Sequence, residues 1–393
     1  MKKILLTSRA NLQRFKLIKV CRNFNKNTLQ QISLLYLNPV NTKESKIELK
    51  GMTLEEIKNY FSSIGEKPFR GEQVFNWLYN HLEFDYDKML NIPKSLREKL
   101  KETTSLVSLN LVGYQDSPLT KTKKYLFETY DGKKIESVVI PDKDRNTLCI
   151  STQVGCPLDC KFCATGLMGY KRNLTAGEIV DQYLLAAKEY GKKFITNIVY
   201  MGMGEPLLNF KNTLDSIRIF TNELNTGLSR NRITLSTVGI PEKIRELADS
   251  NIRVKLALSL HSCFDDIRST IMPINKKYSL EQNFEALRYY SKKTKTRITF
   301  EYTMLKGIND RQEDVKALSH LCKQLPAKIN IIPFNSIKHM DPDGFSGQLE
   351  PTPIDEIENF ANQLRNNGVT VFVRNTQGND IAAACGQLAV KAS

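Results

Sequence analysis

The chain has 393 residues, 41% of them hydrophobic, enough for a sizeable core and more than one domain. No apolar run approaches the roughly 20 residues of a helical membrane span, and the eight cysteines are sparse, so a reducing cytoplasm and no membrane partner are expected rather than a disulfide framework. A net charge of +15 permits a nucleic-acid partner without demanding one, because residues 1–51 hold 11 Lys or Arg against only Glu44 and Glu48.

Residues 1–45 mix those basic residues with Leu, Ile and Phe. The composition fits an organellar presequence or a disordered basic tail, and the segment stays outside the fold argument. Residues 46–105 read as a small helical domain. Thr53 and Glu56 have capping-box spacing, Ile57, Tyr60 and Phe61 follow on one face, and Val74, Trp77 and Leu78 form a second stripe. Trp77 is expected in the core, and Leu96 and Leu100 mark a third helix. Pro68, Phe69 and Arg70 are placed between the first two helices. Residues 106–145 alternate in β fashion, with a hairpin signal at Asp131-Gly132, and read as a short antiparallel linker.

From Thr147 short β-branched runs recur at 148–151, 195–200, 233–237, 254–260, 298–303 and 329–333. Helical stretches begin at Thr175 and near Asn212, Pro241, Ser279, Asp310 and Ile354. Six strand–helix alternations over 146–376 argue for an α/β fold with a parallel sheet, a six-stranded partial barrel rather than the full eight-fold one. Residues 377–393 form a C-terminal tail.

Within this domain Cys156, Cys160 and Cys163 are spaced C-x3-C-x2-C in a loop after the first strand, at the end of the barrel where such folds carry chemistry. Structural zinc wants four protein ligands, and neither a second knuckle nor clustered histidines supply the fourth. A [4Fe–4S] cluster held by three thiolates leaves one iron open for an outside ligand. Three buried core cysteines are the bland alternative.

Other polar groups sit at strand ends: Gly204 and Glu205 in MGMGEP, Ser236, the Ser259-Leu260-His261 segment and Asn335. Glycines there let a ligand approach the backbone, and Glu205 suits an ammonium. Cys385, between Ala384 and Gly386, is an accessible thiol by composition, whereas Cys149 alone reads as core.

Together these stretches resemble the RlmN/Cfr family of radical S-adenosylmethionine (SAM) RNA adenine methyltransferases. The resemblance runs from about Lys46 to Leu388 through GEKPFR (65–70), TLCISTQVGC (147–156), CKFCATG (160–166), GYKRNLT (169–175), MGMGEPL (201–207), STVG (236–239), SLH (259–261), MPIN (272–275) and ACGQL (384–388). It implies a partial (β/α)6 radical SAM barrel with a small N-terminal helical, RNA-binding domain. It implies a [4Fe–4S] cluster on Cys156, Cys160 and Cys163, and SAM contacts from Gly204, Glu205, Ser236, Ser259, Leu260, His261 and Asn335. Cys385 would become S-methylcysteine in a ping-pong use of two SAM molecules, Glu136 would accept a proton, and Cys149 would release the product, leaving a Cys149–Cys385 disulfide.

The implied substrates are 23S rRNA and tRNA, methylated at adenine C2, with a flavodoxin- or ferredoxin-type reductant and a monomeric enzyme. GEKPFR and Pro206 favour this side of the family over C8 methylation of the same rRNA adenosine. A zinc-stabilised RNA-binding protein is the non-enzyme alternative. Residues 337–353 are longer than in many members and suit a surface loop or an RNA contact.

Overall fold

The computed structural model describes residues 46–224 and 227–390; the presequence reading and Cys21 lie outside them. Helix α1, Leu54–Ser63, opens on the expected capping box. Thr53 Oγ1 accepts the Glu56 amide, the Glu56 carboxylate accepts the Thr53 amide at 2.8 Å, and Ile57 and Phe61 are buried. Helix α2, Pro68–Tyr79, starts on Pro68, where a missing amide is harmless. Pro68, Phe69 and Arg70 are therefore its first turn and not a connection between helices. Trp77 is only half-buried, because its ring lies beside His81 and its Nε1 donates to Asn91 at 2.6 Å. Helix α3, Lys94–Thr103, buries Leu96 and Leu100.

Ten strands then form one sheet: β1 Leu109–Asp116, β2 Lys123–Thr129, β3 Lys134–Asp142, β4 Arg145–Cys149, β5 Asn197–Tyr200, β6 Ile233–Thr237, β7 Lys255–Ser259, β8 Ile298–Met304, β9 Ala327–Pro333 and β10 Val371–Val373. Their spatial order follows the chain without a swap. Strands β1 to β4 pair antiparallel and β4 to β10 parallel. The antiparallel segment is thus no separate linker: Val138 of β3 pairs with Cys149 of β4 and extends the parallel sheet. All six expected parallel strands are present, and β10 adds a seventh.

Helices follow the parallel strands, among them α4, Ala176–Tyr190, whose Thr175–Glu178 capping box is formed. Asp181 of α4 anchors the N-terminal segment. It pairs with Lys50 at 2.6 Å, both buried, and accepts the Ser108 and Leu109 amides. Residues 337–353 are not a free loop, since Ile337 and Leu349 bury into a small apolar cluster with Cys160, Val238 and Met272.

Candidate active site

The cysteine loop is built on a two-strand ribbon, Gln153–Gly155 against Tyr170–Asn173. Gly155 has φ +71° and a Cβ there would stand 1.8 Å from the Gly169 carbonyl, so only glycine closes the ribbon. Cys156, Cys160 and Cys163 line one cavity with Gly204, Glu205, Ser236, Ser259 and His261. A second, larger cavity is lined by Cys149, Asn335 and residues of β4, β9 and β10. Cys163, Glu301 and Cys385 line both. The tail therefore sets Cys385 on the wall between the compartments, in contact with each.

Several bonds hold the tail there. Ala164 of the cysteine loop donates to the Gly386 carbonyl at 2.7 Å, Thr165 Oγ1 to the Leu388 carbonyl at 2.6 Å, and Asn335 Nδ2 to the Cys385 carbonyl at 3.1 Å. Asn335 is thus a support of Cys385 facing the outer cavity and does not line the inner one. Leu260 is fully buried and lines neither; its amide donates to Glu301 O and its carbonyl accepts from Arg268. Gly202 and Gly204 are required by the chain itself, since a Cβ would meet Ile150 at 2.7 Å or Gln153 at 2.5 Å. Close ligand approach is not the only reason for them.

Glu205 is buried, with its carboxylate accepting the Leu207 and Val238 amides at 3.0 Å each. Burial outweighs those bonds and raises it to about 7. His261 sits at φ +54° and its Nδ1 accepts the Thr303 amide at 2.9 Å, which leaves any proton on Nε2. Burial, helped by the Arg268 charge, lowers it to about 3, so it is a neutral wall packed edge-on to Phe162. Ser236 and Ser259 stand 3.4 Å apart, hydroxyl to hydroxyl.

Glu136 lies under the tail, paired with Lys124 at 3.0 Å and accepting the Ala389 amide at 3.0 Å. It is not among the side chains lining either cavity. A carboxylate that lines both cavities, and that sequence reading missed, is Glu301. Asn330 donates to its Oε1 at 2.8 Å, while its buried Oε2 has no protein partner. A single carboxylate in the otherwise uncharged strand Ile298–Met304 was the available signal.

Burial pushes Cys149, Cys156 and Cys385 each up to about 12 and Cys160 further. Cys385 is exposed and lines both cavities. Cys149 and Cys385 are free thiols; no disulfide joins them. Among the described residues no three Cys, His, Asp or Glu are grouped to hold a single metal ion. A structural zinc site takes four protein ligands, and the loop offers three. A cluster held by three thiolates keeps one iron open for an outside ligand. Three cysteines lining one cavity with the acceptors Glu205, Ser236, Ser259 and the unpartnered Glu301 oxygen are a donor set that fits a cluster with SAM beside it.

The radical SAM superfamily model matches residues 150–318, and that of the ribosomal RNA large subunit methyltransferase N-terminal domain matches residues 47–106. A probable dual-specificity RNA methyltransferase RlmN of Dictyoglomus turgidum is 44% identical over 337 residues, 85% of this chain and 94% of the relative. A probable RlmN of Clostridium botulinum strain Loch Maree is 45% identical over 336 residues, 86% of this chain and 96% of the relative. A crystal structure of a radical SAM methyltransferase from Sphaerobacter thermophilus superimposes with a TM-score of 0.81 at 39% identity, covering 87% of this chain and 99% of that one. No helix among the described residues is long and apolar enough to cross a membrane.

Proposed function

The chain belongs to the RlmN family of radical SAM RNA methyltransferases, and from that premise we propose that it methylates adenine C2 in 23S rRNA and in tRNA. The observation that carries the reading is the place of Cys385, a thiol lining both the cavity of the three cysteines and the cavity of Cys149. A methyl carrier needs access to its donor on one side and to its acceptor on the other, and proximity of this kind replaces a bimolecular encounter.

Cys156, Cys160 and Cys163 would hold the cluster, and Glu205, Ser236 and Ser259 would orient SAM beside it. When bound, these groups supply the methyl and the one-electron chemistry that activates it. The protein's own residues do the remainder. Cys385 carries the methyl as a thioether, and the bonds from Ala164, Thr165 and Asn335 keep it on the shared wall. Buried His261 and half-buried Phe162 wall the inner compartment against water. Cys149 opens on the outer cavity, where it frees the product from Cys385, and a reductant then restores both thiols. Glu136 accepts a proton beside the tail, its carboxylate kept above the ordinary range by burial against the pull of Lys124.

The test is RNA from cells with and without the protein, digested to nucleosides and read by mass spectrometry. Loss of 2-methyladenosine from rRNA and tRNA is the expected result. Loss of 8-methyladenosine with 2-methyladenosine intact would assign the other carbon.

A further inference from the structure

Arg268 lies in the short helix Asp265–Ile271 and is completely buried. Its Nε donates to the Leu260 carbonyl at 3.0 Å and its Nη1 to Asn275 Oδ1 at 2.7 Å. Its Nη2 donates to the Val238 carbonyl at 2.6 Å and the Ser259 carbonyl at 3.0 Å. All four acceptors are neutral. A buried cation costs several kcal/mol unless opposite charge is near. Asp265 does not fill that role directly. Its Oδ1 accepts from Asn275 and from the Leu280 amide rather than from Arg268, so its charge acts on the guanidinium at a distance and without a bond.

The fold sets the helix of this cation beside the cysteine loop. Val238, Ile271 and Met272, which flank Arg268 and its partners, share one apolar cluster with Cys160. The Lys161 amide donates to the Ile271 carbonyl at 2.9 Å, joining the loop to the helix of Arg268. In so apolar a setting charge interactions are screened weakly. Burial lowers Arg268 to about 10, with Cys160 pulling the other way, so it stays charged at neutral pH.

We propose that Arg268 is the built-in counter-charge of an anionic iron–sulfur cluster on Cys156, Cys160 and Cys163, a positioning residue that also makes the cluster easier to reduce. The proposal rests on the cluster reading above. One electron from a ferredoxin- or flavodoxin-class donor makes the cluster more negative by one charge, and a fixed neighbouring cation favours that state. The same guanidinium ties together the ends of β6 and β7, which carry Ser236 and Ser259.

The test compares wild type, R268K and R268Q, reconstituted anaerobically, by iron and sulfide content and by redox titration followed by electron paramagnetic resonance. At the potential where wild type is half reduced, R268Q should show a reduced-to-oxidised ratio at least tenfold lower, a shift of about 59 mV for one electron. R268K keeps the charge but not the four bonds, and should change that ratio less than threefold. Unchanged ratios in both variants, or equal losses in both, would overturn the proposal. Should R268Q not fold, R268K decides alone: a ratio within threefold of wild type supports the counter-charge, and a tenfold loss refutes it. Wild type without iron and sulfide would refute the cluster itself, a different failure.

Discussion

Glu205 illustrates how burial and function compete at one side chain. Its raised value means that the folded chain binds a proton more tightly there than the unfolded chain does. The stability this contributes is full at about pH 4.5 and is lost as pH rises through about 7. The stability of the cluster-free wild type relative to E205Q should therefore fall by up to about 3 kcal/mol between those limits. Urea denaturation across the range checks it, and a flat difference would refute it. Glu205 was legible as a candidate because it is the lone carboxylate in a glycine-rich turn, MGMGEP, directly after a strand. Glu301 and Arg268 were not. Glu301 sits mid-strand among residues that read as core, and Arg268 sits in D-D-I-R, which reads as a solvated helix face. The partners that define Arg268 come from Val238, Ser259, Leu260 and Asn275, contacts no local pattern encodes.

At the scale of elements, the parallel strands were legible because β-branched runs and capping boxes mark both their positions and the helices between them. Strand β10 was missed: three residues with Phe372 exposed give too short an alternation. Merging of the antiparallel segment into the barrel sheet was also hidden, since the pairing of β3 with β4 is a matter of edge geometry and not of composition. The clearest energetic claim here is the Lys50–Asp181 pair, which fastens the N-terminal helices to α4. Replacing Lys50 by Met leaves a buried carboxylate and should cost about 3 kcal/mol or more. A shift in the denaturation midpoint at unchanged slope would show it; a loss under about 1 kcal/mol would mean that the Ser108 and Leu109 amides suffice for Asp181.

For the whole molecule, the essential point is a partial barrel whose inner and outer cavities share one wall, with the tail laid across it. Cys156 and Cys160 line the inner space alone, Cys149 the outer one, and Cys163 and Cys385 touch both. Spacing alone marked the cluster cysteines. The tail needed the fold, because residues 229 positions apart in sequence, Cys156 and Cys385, come to line one cavity through long-range bonds such as those of Ala164, Thr165 and Asn335. The central claim, that Cys385 hands its carbon to RNA and Cys149 releases it, has a direct measurement. The C149A protein, reconstituted and supplied with SAM, reductant and RNA, is digested and its peptides mapped by mass spectrometry. The expected result is an adenosine adduct on Cys385. Cys385 recovered free of RNA, with methylated RNA released as in wild type, would contradict the account.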